Sequence, residues 1–397
     1  MPRLTDLAQQ LALLQSRGLL RIPDDGSQRQ QLAQAFPDYF IDASSNDYLG
    51  LAAGGEDPVS RETFEPGWVA PVSRETPLGA GASRLIHGTH PCHFEVERAV
   101  ADWLGQPTAL LFSSGYAANL GALSALLDRN DLVVSDALNH ASLIDGIRLS
   151  RAETVVAPHL DLDAVRAALE LPTQGARWVV VESYYSMDGD VPDLRALRAL
   201  CNDHGAYLYV DEAHALGVWG PEGAGLLAEA GVHADVVMAA FGKAVGSHGA
   251  AIASSDDVRT WLWNRARSFV FSTAPSPRQT QSLLNQLARA RAAEQARARL
   301  AQLGERLRGV LGGGGAQLVR GSRGPIVSVL VGTPERALEL SALLGRRGIL
   351  VQAIRPPTVP AGQCRLRLTL SAGLSDEELD RLAHALLEEL GSRRRPL

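Results

Sequence analysis

The chain has 397 residues, 46% hydrophobic and 21% charged, and its 38 Lys and Arg against 44 Asp and Glu give a formal charge of -6. That length exceeds one comfortable core and predicts more than one domain, in the composition of an ordinary α/β enzyme. A mildly acidic balance gives no basic field for nucleic acid, no stretch reaches the length of a membrane span, and Cys92, Cys201 and Cys364 are too scattered for a disulfide framework or a zinc site.

In chain order, Leu4, Leu7, Leu11 and Leu14 form a helical stripe that ends at Gly18, and Leu19 to Pro23 leaves it. Arg3, Asp6, Gln9 and Gln10 interrupt the first fourteen residues, so no apolar run of signal-peptide type is present and a cytoplasmic, reducing location is expected. Phe40 to Leu51 reads as a strand and a turn. Ala52 to Leu78 is rich in Gly, Pro, Glu and Arg and contains Val-Ser-Arg-Glu-Thr at 59–63 and again at 72–76, which is too little for a repeat architecture. An irregular insertion is expected there. Gly79 to His90 is a glycine-containing loop, followed by a helix from about His93 to Leu104.

Strands and helices then alternate. Thr108–Phe112, Leu132–Ser135, Thr154–Ala157, Trp178–Glu182 and Tyr207–Asp211 read as strands, with helices at Ala117–Leu127, Ala141–Ser150 and Leu194–His204. Short apolar strands spaced by helices point to right-handed crossovers and a mostly parallel sheet covered on both faces. Ligands collect at the C-terminal ends of such strands. Further on, one long helix is predicted from about Pro277 to Leu311, broken at Gly312–Gly315. Ile326–Val331, a helix near Glu335–Gly345, Leu350–Ala353, Arg365–Leu370 and a closing helix Asp376–Leu390 make a smaller α+β unit, and Arg393–Arg395 is a solvated tail. The expected domains are 1–45 as an N-terminal helix and arm, 46–285 as the large domain and 286–397 as the small one.

Polar groups fall at several strand ends. Ser113 to Asn119 lies between a strand and a helix, where free N–H groups suit phosphate or simply cap the helix. Asn139-His140 follows the next strand, and His140 is either a surface residue or a ring that stacks on a flat ligand. Glu182 to Asp190 ends another strand in acids and hydroxyls. Asp211 closes an apolar strand with His214 three residues on, a place where a carboxylate can hold a pyridinium N–H; a metal there lacks further ligands. The sharpest signal is Lys243, the only lysine in the chain, in a tight connection between the apolar strands Ala234–Ala240 and Gly249–Ser254. A lysine ammonium loses its proton readily on burial, which suits it to Schiff-base chemistry with a carbonyl.

A strand-end aspartate and a lone lysine among small residues are the arrangement a pyridoxal phosphate enzyme needs. Together with Ser45-Asn46-Asp47-Tyr48-Leu49-Gly50, Ser186-Met187-Asp188-Gly189-Asp190, Asp211-Glu212-Ala213-His214, Phe241-Gly242-Lys243 and Ile354-Arg355-Pro356-Pro357-Thr358-Val359-Pro360, the chain from about Leu20 to Leu387 resembles the α-oxoamine synthases. The resemblance implies a fold-type I pyridoxal phosphate-dependent transferase with a mostly parallel sheet in the large domain. The last motif and Arg365 to Ala372 favour the branch that condenses L-alanine with a pimeloyl thioester carried on coenzyme A or acyl carrier protein.

The resemblance also implies roles. Lys243 would hold the pyridoxal 5'-phosphate aldehyde and move the substrate Cα proton, Asp211 would pair with the pyridine nitrogen, His140 would stack on the ring, and His214 would lie near its phenolic oxygen. Gly115, Tyr116 and Ser186 match cofactor-contacting positions, and Arg21, Arg355 and Thr358 match substrate-binding ones, with His140. A homodimer with shared sites is implied, in which Ser272 and Thr273 reach the neighbouring subunit's phosphate. The chain departs from the family at Ala240, usually threonine, and at His159-Leu160-Asp161, commonly His-Asn-Asp. Another α-oxoamine synthase, taking glycine or serine, and a non-catalytic pyridoxal phosphate-binding regulator are the alternatives; no DNA-binding motif or basic extension supports the regulator.

Overall fold

A computed structural model describes residues 7–21, 27–52 and 75–391 of the chain. Most of the expected insertion, residues 53–74, lies outside the described residues. The chain divides into two compact units, Asp47–Ser186 with Val191–Ala298, and Met1–Asn46 with Met187–Asp190 and Arg299–Leu397. This differs from the expected division at 45 and 285. Ile41–Asp42 pairs in parallel with Ile349–Leu350, and Thr369 donates its N–H to Ala43 O at 2.9 Å, so the N-terminal arm belongs to the C-terminal unit.

The larger unit is built on a seven-stranded sheet. Its order is Thr108–Phe112, Ala250–Ser254, Val236–Ala240, Ala206–Asp211, Arg177–Glu182, Leu132–Asp136, Glu153–Ala157. Ala250–Ser254 runs antiparallel to both its neighbours and every other pairing is parallel. The central strands are buried along their length, as a sheet covered on both faces requires. Val133, Val180, Tyr209, Met238 and Ile252 pack with Ala122, Leu123 and Ile147 from the helices Gly115–Leu126 and Ala141–Ser150 in one core. This sheet sets the strand ends that carry Asp136, Glu182, Asp211 and Ala240.

The helices Leu162–Leu169 and Asp256–Arg265 escaped the sequence reading. Their starts were signalled by capping residues: Asp161 accepts from Ala164 N–H at 2.9 Å and Ser255 from Val258 N–H at 3.4 Å.

The smaller unit holds an antiparallel sheet ordered Gln352–Ile354, Cys364–Thr369, Ile326–Gly332, with helices Pro334–Gly345 and Asp376–Gly391. The predicted strand Leu350–Ala353 is split, Ile349–Leu350 joining residue 41 and Gln352–Ile354 this sheet. A further helix, Ser27–Ala35, was not foreseen, because it lacks an apolar stripe. The single long helix predicted from Pro277 is two, Pro277–Ala292 and Glu294–Gly313, parted at Ala293 where ψ is 46°.

Candidate active site

Lys243 sits in the connection between Val236–Ala240 and Ala250–Ser254, half-buried, as its spacing between apolar strands predicts. The connection is closed by its own backbone: Phe241 N–H donates to Gly249 O at 2.9 Å, Ser247 N–H to Phe241 O at 2.8 Å and Gly246 N–H to Lys243 O at 2.9 Å. Gly246 is required here, since its φ is 64° and a Cβ would stand 2.6 Å from Ala52 N. The lysine is therefore presented from a fixed loop.

Asp211 ends the strand Ala206–Asp211 and is buried. Its Oδ1 accepts the Ala213 N–H at 2.8 Å and its Oδ2 accepts Asn119 Nδ2–H at 2.8 Å. Asn119 reaches it from the helix Gly115–Leu126, and Tyr209 OH bonds Asn119 Oδ1 at 2.7 Å. The adjacent strand ends in Glu182, in register with Asp211 and almost wholly buried. Its carboxyl takes the backbone N–H of His140, and its Oε1 has no hydrogen-bond partner among the described residues. Burial, with the charge of Asp211, pushes Glu182 well above the usual carboxylate range, and Lys243 opposes that rise. His140 feels Asp211 and Lys243 directly: although it is solvent-exposed, the protein around its ring lowers its pKa, Asp211 offsets this and Lys243 adds to it. Lys243, Asp211, His140 and Glu182 thus form one electrostatic group. Tyr116 adds its ring, 6.3 Å from His140 and nearly perpendicular.

Gly115 and Tyr116 begin a helix capped by Ser114, whose side chain accepts the Ala117 N–H at 3.2 Å. First-turn N–H groups have no partner within a helix, and the helix dipole favours an anion there. A Cβ on Gly115 would lie 3.5 Å from Ala240 Cβ and 3.6 Å from Met238 Cε, so this helix start packs against the strand that leads to Lys243. A primary amine, a buried carboxylate, an imidazole and a helix N-terminus are the donor set pyridoxal phosphate requires, and these residues fit it.

His214 follows Asp211 in a buried turn and takes Tyr48 OH at 2.7 Å on Nδ1. Ser186 is buried at the end of the larger unit's first segment, and Thr273 forms an antiparallel bridge with Ser83, next to Ser272. In the smaller unit Arg21 Nη2 donates to Thr358 Oγ1 at 2.8 Å, and Arg355 donates to Gly18 O. Burial, with Arg21 beside it, lowers the Arg355 pKa. Sequence reasoning missed Asn119, Ser142 and Tyr48 as site residues and gave Glu182 no role. Asn119 and Tyr48 lay inside quoted motifs; Glu182 was visible as a second acid at a strand end.

The family model of aminotransferase class I and II matches residues 40–386. The 8-amino-7-oxononanoate synthase of Alkalilimnicola ehrlichii is 44% identical over 351 residues, covering 87% of each chain. That of Mycolicibacterium smegmatis is 44% identical over 364 residues, covering 89% of this chain and 90% of its own. Among solved structures, serine palmitoyltransferase of Sphingomonas wittichii superposes with a TM-score of 0.81 at 31% identity over 88% of this chain and 87% of that one. The fold is also that of the 8-amino-7-oxononanoate synthase from Francisella tularensis, with a TM-score of 0.76 at 24% identity over 90% of this chain and all of that one (100%). The chain belongs to the aminotransferase class I and II family and, within it, to the 8-amino-7-oxononanoate synthases.

Proposed function

We propose that the protein condenses L-alanine with a pimeloyl thioester, releasing carbon dioxide, free thiol and 8-amino-7-oxononanoate, a step of biotin synthesis. The observation that carries this reading is Lys243, the chain's only lysine, acting electrostatically on His140 and Glu182 together with Asp211. Pyridoxal 5'-phosphate, when bound, supplies an aldehyde for the amine and an electron sink for the carbanion formed at Cα.

The chain's own residues supply the rest. Gly115 and Tyr116 N–H groups at the helix start would receive the phosphate. Asp211, anchored by Ala213 and Asn119, would hold the proton of the pyridine nitrogen. Lys243 takes the Cα proton of alanine and later returns one to product, a role suited to an amine freed by substrate. His140 would cover the ring, and Tyr48 orients His214. Ser186 joins the cofactor contacts, while Arg21, Arg355 and Thr358 bind substrate.

A homodimer in which Ser272 and Thr273 serve the partner's phosphate is part of the proposal. The bridge at Thr273 sets two segments side by side, and each carries an apolar side chain in water, Ile86 at 81% and Phe271 at 71% exposure. Sedimentation of the purified protein tests it. A cytoplasmic location is proposed as well; among the described residues no helix is long and apolar enough to cross a membrane.

The test of function is thiol release by the holoenzyme, crossing L-alanine, glycine and L-serine with pimeloyl, acetyl, succinyl and palmitoyl thioesters. Release confined to alanine with pimeloyl thioester, and abolished by Lys243→Ala, is expected. Preference for another pair would move the pathway within the mechanism. No release from any pair would sink the enzyme.

A further inference from the structure

We infer that Asn119 is a positioning residue which, acting through Ser142, fixes His140 as the neutral tautomer protonated on Nε2, so that the ring offers a hydrogen-bond donor to an oxygen-bearing ligand. The argument starts at Asp211. An ionised carboxylate only accepts hydrogen bonds, so the Asn119 group 2.8 Å from Asp211 Oδ2 is the NH2. The amide oxygen then faces Tyr209, whose hydroxyl donates to it at 2.7 Å. This orientation is settled by charge, since the flipped amide would set its oxygen against the carboxylate.

The second Asn119 N–H points at Ser142 Oγ, 2.9 Å away. Ser142 accepts there and turns its own hydrogen toward His140 Nδ1 at 2.8 Å. Ser142 backbone N–H donates to the same nitrogen at 3.2 Å, the cap of the helix Ala141–Ser150. A ring nitrogen that receives two donors carries no proton, so the proton of the neutral ring is on Nε2. Asn119, Ser142 and Tyr209 are all buried to within 1% of complete, so the bonds among them are shielded from water.

The groups around the ring keep it neutral. Lys243 and the surrounding protein disfavour an imidazolium, Asp211 alone favours one, Glu182 holds the His140 backbone N–H, and the Tyr116 ring stands 6.3 Å away. A neutral Nε2–H can orient a carboxylate or carbonyl oxygen without placing a second full positive charge beside Lys243. The catalytic value of the relay rests on the reaction proposed above; the tautomer does not.

The test is long-range proton–nitrogen NMR of the full chain labelled with 15N-histidine, with and without pyridoxal phosphate, His140 being assigned by its loss in His140→Gln. The expected result is a neutral ring at pH 7 protonated on Nε2 alone, with a detectable minor Nδ1-protonated fraction appearing in Asn119→Ala and in Ser142→Ala, kept minor by the Ser142 backbone N–H that both variants retain. Ser142→Ala removes one hydroxyl and serves if Asn119→Ala does not fold. In it kcat falls by about 10-fold with little change in KM for alanine, the scale of losing a group that orients a ligating histidine. Wild-type protonation on Nδ1, or a tautomer that Ser142→Ala leaves unmixed, overturns the relay. An intact tautomer in a protein that releases no thiol overturns the reaction and leaves the relay standing.

Discussion

Glu182 and Asp211 end adjacent parallel strands in register, and both are buried. Burial, with the Asp211 charge beside it, pushes Glu182 well above the usual carboxylate range, which favours its neutral form.

Glu182→Gln tests this. The amide oxygen still accepts the His140 N–H, and the amide nitrogen replaces an oxygen that has no partner, so stability at pH 7 should change by no more than about 1 kcal/mol. Denaturant titration reads it. A loss several times larger would mean that Glu182 is ionised and its charge is needed.

Much of this site was legible beforehand, and the reason is local. Lys243, Asp211 and His140 stand at strand ends, where alternating apolar segments announce both the sheet and its ligand-binding edge. Asn119 and Ser142 were illegible because their roles depend on how the helices Gly115–Leu126 and Ala141–Ser150 pack, at Gly146, whose Cβ would lie 2.9 Å from Asn119 O. The domain boundary at 45 failed to anticipate the pairing of Ile41 with Ile349, a contact between chain ends that no local pattern encodes.

Tyr48→Phe should separate ring packing from hydrogen bonding at His214. Tyr48 is fully buried and its hydroxyl lies 2.7 Å from His214 Nδ1. The phenylalanine keeps the packing and loses the bond, costing about 1 kcal/mol. Thiol release should fall further, by roughly 10-fold, because an unoriented histidine reaches its partner less often. Equal activity in the two proteins would remove His214 orientation from the mechanism.

Glu212 gives the fold a pH dependence. It is fully buried and accepts N–H groups of Leu226 and Leu227 and the Ser183 hydroxyl, yet burial pushes its pKa up to about 7 from 4.5. As pH rises between those values the unfolded chain releases the proton while the folded one retains it, so the folded state loses about 3 kcal/mol across the window. Below 4.5 both states are protonated and no penalty applies. Glu212→Gln starts less stable, since one backbone N–H loses its acceptor, but its stability should fall less between pH 5 and pH 7. Urea midpoints at the two pH values give the difference of slopes, from which the other titrating groups cancel. Parallel slopes would place the Glu212 ionisation elsewhere.

Leu160 is held with φ at 59°, a left-handed conformation that costs a branched apolar residue about 1 kcal/mol or more and asparagine less. The turn is fixed around it: Leu160 N–H donates to Asp136 Oδ2 at 3.0 Å, His159 bonds the other oxygen of that carboxylate at 2.9 Å, and Asp161 N–H donates to Pro158 O at 3.1 Å. The backbone cannot relax without giving up those bonds, so the strain stays at the side chain. Leu160 is 37% exposed, so most of its side chain is covered and its replacement by a polar residue forfeits that burial. In Leu160→Asn the relief of that strain offsets the lost burial, so the urea midpoint should stay close to the wild-type value at unchanged slope, while the β-branched Leu160→Val lowers it. An asparagine variant no more stable than the valine one would show that the turn does not impose this conformation.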